Sequence, residues 1–267
     1  AAPQAVDWDS DGDLDLVVGN SAGVMLYFDR ISAGSLVQRS GAGVNPFDGI
    51  DVLYYAAPQA VDWDSDGDLD LVVGNGDGVM LYFERISDGS LLERSGAGVN
   101  PFDGIDVGQN AAPQAVDWDS DGDLDLVVGS WKTGHLSSGE GVMLYFERIP
   151  DGSLVQRSGT GSNPFDGIHV EFISEWDPFH GTHFLRSSAA PQAVDWDSDG
   201  VLDLVVGNSG GVMHYFEGLS DGSLVQRTGA GVNPFDGINV GHRAGQWFVD
   251  YAAPQAVDWD SDGDLDL

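Results

Sequence analysis

No cysteine occurs in the 267 residues, which excludes disulfides, thiolate zinc sites and a cysteine nucleophile. Basic residues are scarce: ten Lys and Arg face forty-four Asp and Glu, a formal charge of −34. Such a surface repels phosphate backbones and anionic membranes and attracts cations, so neither nucleic-acid binding nor membrane insertion is expected. No apolar run approaches the ~18 residues needed to span a bilayer. The opening "AAPQAVDWDS" lacks the basic start and apolar stretch of a secretory signal. Helical periodicity is missing as well, since no stretch keeps apolar residues at a three-to-four spacing. The composition is still 42% hydrophobic and 10% aromatic, enough to bury a sizeable core.

What the chain has in abundance is repetition. "AAPQAVDWDSDG" begins at Ala1, Ala56, Ala111, Ala189 and Ala252, and a recurrent period of this size points to a repeat architecture. The units are residues 1–55, 56–110, 111–188 and 189–251, with a partial fifth copy at 252–267. The third is lengthened by insertions at 130–140 and 171–188, the fourth by one at 241–251. The fifth copy stops after its first motif, and the chain is expected to be a window on a longer tandem array.

Each complete copy reads as four strands. "AAPQAV" ends in a short apolar element; "LDLVVG" sets Leu14, Leu16 and Val18 on one face and Val17 on the other; "VMLYF" (24–28) is apolar on both faces. "SLVQR" (35–39) alternates into polar positions as an outer strand does, and Gly, Asn, Asp and Pro punctuate every join. The fold class expected is all-β: tandem four-stranded antiparallel blades, β-propeller-like, either closed into a ring or open as a filamentous array.

Ahead of each "LDLVVG" lies "DWDSDGDLD", with aspartates at alternate positions and a glycine at the sixth. Hard oxygens at that spacing around a tight turn suit Ca²⁺, which takes six to eight of them in flexible geometry. An EF-hand is excluded, because the twelfth position is Val18, Val73, Val128 or Val206 where a bidentate Glu is required, and a strand follows where a helix should. Without a cation, the crowded carboxylates repel one another strongly.

This motif, followed by an apolar strand and "GVMLYF", resembles the FG-GAP or VCBS repeat of integrin-α-type propellers and many secreted proteins. The resemblance implies about one Ca²⁺ per repeat, held by the side chains at motif positions one, three, five and nine and by the carbonyl at position seven. In the first copy these are Asp7, Asp9, Asp11 and Asp15, with Asp13 offering its carbonyl. The corresponding sets are Asp62, Asp64, Asp66, Asp68 and Asp70; Asp117, Asp119, Asp121, Asp123 and Asp125; Asp195, Asp197, Asp199, Val201 and Asp203; and Asp258, Asp260, Asp262, Asp264 and Asp266. Val201 replaces an acid only where the carbonyl alone is implied to bind.

Two other recurrent features stand out. Arginines come in pairs, Arg30 with Arg39, Arg85 with Arg94 and Arg148 with Arg157, while the fourth copy has Gly218 and Arg227. They are expected either to bridge to acids of a neighbouring blade or to form a solvated edge. "NPFDGI" is a turn with a phenylalanine, Phe47, Phe102, Phe165 or Phe235, expected to anchor the core.

A specific activity, if present, belongs in the insertions. Trp131, Trp176 and Trp247 are candidates for an aromatic platform that stacks on sugar rings. His180 and His183, near Glu175 and Asp177, have metal-ligand chemistry, but loop histidines without a rigid element behind them make poor ligands. Nothing near the acidic loops supplies a base or nucleophile in every copy, so no enzyme is expected. The reading is a calcium-stabilised structural protein of the cell exterior, a building unit of a surface fibre, sheath or flagellar hair whose partners are copies of itself. The alternative is a calcium-dependent lectin or adhesin binding glycans.

Overall fold

In a computed structural model of the chain, residues 1–31, 34–133, 139–170, 175–177, 182–184, 188–240 and 251–267 are described. Among them there is no helix. Blade 1 consists of β1 (Ala2–Val6), β2 (Asp15–Gly19), β3 (Met25–Ile31) and β4 (Ser35–Arg39), paired antiparallel in that order. Blade 2 repeats it with β5 (Ala57–Val61), β6 (Asp70–Gly74), β7 (Met80–Arg85) and β8 (Leu91–Arg94). Blade 3 holds β9 (Gln109–Val116), β10 (Asp125–Thr133), β11 (Gly139–Arg148) and β12 (Leu154–Arg157), and β13 (His169–Val170) pairs with β11. A separate hairpin, β14 (Glu175–Asp177) with β15 (Thr182–Phe184), precedes blade 4, which is β16 (Ala189–Val194), β17 (Asp203–Asn208), β18 (Met213–Gly218) and β19 (Leu224–Arg227). The first strands of successive blades touch one another, so each "AAPQAV" is innermost and each "SLVQR"-type strand outermost. The molecule is a four-bladed β-propeller.

One sequence feature sets the length of each central hairpin. In copy 1 the Asn20 side-chain oxygen accepts hydrogen bonds from the backbone N–H groups of Ala22 (2.9 Å) and Val24 (3.1 Å), closing the β2–β3 turn. Asn75 and Asn208 hold the same turn in copies 2 and 4. Copy 3 has Ser130, too short to span that turn, and its pairing runs on to Thr133 opposite Gly139.

The cores lie between blades. Val17, Met25, Tyr27 and Phe47 of blade 1 pack against Ala60, Leu71, Val73 and Phe83 of blade 2, and the 2–3 and 3–4 seams repeat this cluster. Strands buried on both faces need apolar residues on both, which is why "LDLVVG" reads as a nearly continuous apolar run. Phe47 is 1% exposed and its ring lies 4.6 Å from that of Trp8 and 5.7 Å from that of Tyr27. The "NPFDGI" segment therefore folds back onto its own blade as a core anchor, and Phe102, Phe165 and Phe235 do the same.

Copy 5 has a definite place. A Cβ on Gly19, Gly74 or Gly129 would lie 2.1–2.2 Å from the carbonyl oxygen of Ala56, Ala111 or Ala189 in the next copy, and Gly207 stands in the same relation to Ala252. At the other end, Arg30 of blade 1 donates to the carbonyl of Trp259 (2.7 Å) and lies 4.9 Å from its ring centroid. The hairpin of copy 5 thus stands between blade 4 and blade 1 and completes the ring. A four-bladed ring has no evident need of such a segment when only the repeat count is considered; the structure uses it as a wedge.

The arginines divide their work. Arg39, Arg94, Arg157 and Arg227 pair with Asp29, Glu84, Glu147 and Glu217 of their own blade at 2.6–2.8 Å. Arg85 and Arg148 cross to the preceding blade, but to an indole face and a carbonyl: Arg85 to Trp8 and Arg148 to Trp63. Neither set bridges to acids of a neighbouring blade: one pairs within its own blade, the other meets an indole and a carbonyl. A cation over an indole ring satisfies the guanidinium with less desolvation than a buried carboxylate pair requires.

Candidate metal centre

The acidic turns are built from local rules. Ser10 adopts φ +61° and Gly12 φ +94°, so the backbone doubles back within the motif. Gly12 has open space around it; its requirement is for the positive φ, which side chains disfavour. The Asp7 carboxylate accepts from the N–H groups of Asp11 (3.1 Å) and Gly12 (3.1 Å), and the Asp11 carboxylate from that of Asp13 (3.0 Å). In copy 4 the N–H of Val201 donates to Asp199 at 2.8 Å. The backbone at position seven makes the same contact whether or not it carries an acid.

Carboxylate oxygens of Asp7, Asp9 and Asp11 come within 4.8 Å of one another, as do those of Asp62, Asp64 and Asp66; Asp117, Asp119 and Asp121; Asp195, Asp197 and Asp199; and Asp258, Asp260 and Asp262. Partial desolvation, then the charges of Asp15 and Asp11, push the Asp9 carboxyl above the usual carboxylate range. Asp64 and Asp119 are raised by desolvation and by Asp66 and Asp121, and Asp197 by desolvation and Asp203. These turns hold their negative charges in mutual repulsion, which a bound cation would offset.

Asp15 is placed otherwise. It is fully buried, and its carboxylate accepts from the Tyr27 hydroxyl (2.6 Å), the Trp8 N–H (3.3 Å) and the Arg30 N–H (2.9 Å). Asp70, Asp125 and Asp203 repeat this arrangement. The ninth-position aspartate ties the acidic turn to the third strand of its own blade, and desolvation beside that carboxylate pushes the Tyr27 hydroxyl far above its usual range. Its spacing from the triad looks like that of a fourth ligand; only the partner strand, brought alongside by folding, reveals the second role.

Calcium fits this donor set: three hard oxygen donors converge at the surface in every copy, with no nitrogen or sulfur among them. Asp7, Asp9 and Asp11 and their counterparts would hold the ion, which would neutralise the loop and cross-link its two ends. Of the tryptophans, Trp131 is half-buried on β10 with its indole N–H buried and unpartnered. Trp176 has its backbone in β14, paired with His183, while Trp247 and His180 lie outside the described residues.

The fold and these turns define a β-propeller built of acidic-turn repeats. A model of the FG-GAP-like repeat family matches residues 7–73 and again 62–128. Residues 7–128 thus carry tandem FG-GAP-like repeats, as the motif implied. No curated protein gives a significant match. No helix among the described residues is long and apolar enough to cross a membrane.

Proposed function

We propose that this is a non-catalytic, calcium-stabilised propeller module of the cell exterior, serving as a building unit of a surface fibre, sheath or flagellar hair. The observation that carries the reading is the convergent aspartate triad present in every copy, including the wedge. Free Ca²⁺ at about ten times Kd stabilises by about 1.4 kcal/mol per site. In a chain without cysteine, that is how separate turns are fastened. Extracellular modules bind Ca²⁺ at roughly 10⁻⁴–10⁻³ M, which places such a protein where calcium is abundant. Because the ring closes on itself, its partners, other copies of this chain, would add ring to ring through the rims.

Electron microscopy of native material before and after calcium chelation tests this. Filaments or sheets that disperse on chelation are expected; monodisperse rings indifferent to chelation overturn it. A second reading, a carbohydrate-binding propeller, is favoured by exposed tyrosines beside a cavity at the ring axis lined, among the described residues, by uncharged side chains.

A further inference from the structure

At one end of the axis the inner strands leave a cavity of about 80 Å³. Its walls are mainly alanines of the "AAP" segments, and among the described residues its lining consists of Ala, Gly, Asn, Ser and Tyr. In a chain of net charge −34, a lining whose described residues carry no charged side chain suits an uncharged occupant.

The mouth is framed by the residues that precede "AAPQAV" in copies 2 to 5: Tyr55, Asn110, Ser188 and Tyr251. They form two unlike halves. Asn110 donates its side-chain N–H to the Ser188 hydroxyl at 3.0 Å, while the Tyr55 and Tyr251 rings meet at 6.1 Å between centroids. Tyr54 and Tyr55 are 51% and 42% exposed. Copy 2 traces the same backbone with Gly108 (φ +104°) and Asn110 (φ +53°), residues suited to it; copy 1 puts Leu53 at φ +78° and Tyr55 at φ +52°. Leu and Tyr in that region cost about 1 kcal/mol or more each, so copy 1 keeps the Tyr55 ring at the mouth against the local preference.

We propose that this mouth binds a neutral pyranose sugar. The apolar face of the sugar stacks on the exposed Tyr55 ring, which Tyr251 supports edge-on at 62° between ring planes; hydroxyl groups meet the Asn110 and Ser188 side, and a small apolar substituent enters the alanine cavity. Aromatic faces suit the C–H side of a sugar, and the amide and hydroxyl beside them suit its oxygens. The proposal rests on the second reading above and assigns it to tyrosines of the axis instead of to tryptophans of the insertions.

The test titrates the intact, calcium-loaded protein with methyl glycosides of glucose, galactose, mannose and N-acetylglucosamine, followed by saturation-transfer NMR and calorimetry. Saturable binding of at least one is expected, weakened about tenfold in Tyr55→Asn, the loss expected when one stacking ring is removed. That variant installs the residue copy 2 carries at the same backbone angles, so it should fold with an unchanged or higher Tm. Binding that persists unchanged in Tyr55→Asn and in Tyr251→Ala overturns this site while leaving the carbohydrate reading standing. Failure of all four glycosides to bind overturns both, as does binding confined to an apolar peptide probe.

Discussion

Where blade 2 meets blade 1, Arg85 lies 4.9 Å above the Trp8 ring, and Trp8 is 2% exposed. Where blade 4 meets blade 3, Gly218 stands in the arginine's position and Trp118 is left half-buried. A second difference accompanies the first. Leu81 and Leu144 pack into the 1–2 and 2–3 cores, but their counterpart facing blade 3 is His214, which contacts Asn208 at 3.1 Å and Gln226 at 3.4 Å through its ring nitrogens. Gly218 is also enforced: a Cβ there would lie 2.2 Å from the Leu202 carbonyl oxygen and 2.9 Å from Val201. The lost acid and the lost arginine of copy 4 are therefore neighbours, and a charged position has been exchanged for a close apolar contact. Near-identical repeats need not make equal seams.

The largest test of this contrast removes the calcium proposed above. With five loops loaded as proposed, at about 1.4 kcal/mol each, roughly 7 kcal/mol would be lost evenly around the ring, so opening should begin at the seam without an arginine. Limited proteolysis after chelation is expected to cut first at the flanks of blade 4; cuts distributed evenly over all blades would break the comparison. Next in size is Gly218→Arg, which cannot restore the latch because backbone occupies the space. Overpacking of this kind should destabilise by about 3 kcal/mol, measured by urea unfolding, and a gain in stability would show that the seam accepts the side chain.

Arg85→Ala should bring the 1–2 seam to the condition of the 3–4 seam. Loss of the indole contact and of the hydrogen bond to the Trp8 carbonyl is worth about 2 kcal/mol, or a Tm lower by roughly 5 °C. The smallest effect concerns His214→Leu, which installs the residue of the other seams. Burial pushes the His214 imidazole below its ordinary 6.5. The unfolded chain then takes up that proton at a higher pH than the folded protein, so this residue's contribution is intact above pH 6.5 and declines as pH falls below it. The variant should gain about 1 kcal/mol over the parent at pH 5.5 and less at pH 8; a gain independent of pH would remove the histidine from the account.

Much of each blade was legible in the repeats. The four strands, the doubly buried "LDLVVG" and the anchoring Phe47 follow from alternation and turn residues, which act within a few positions of themselves. The aspartate triads were legible for the same reason, since a turn of nine residues brings its own side chains together. The arginines were not: residues 77 positions apart, Arg85 and Trp8, meet only because neighbouring blades stack face to face.

The sequence by itself determined the blade, the acidic turn and the number of copies, because each depends on contacts local to one repeat. Tertiary structure alone decided that the copies close into a ring, that Ala252 to Leu267 serve as its wedge, and that Asp15 turns inward to Tyr27. It also decided that a tyrosine-framed mouth opens on the axis of an acidic protein. The physical reason is the same in each case: these features depend on surfaces brought together only when one blade packs against the next, and no spacing along a single repeat encodes them.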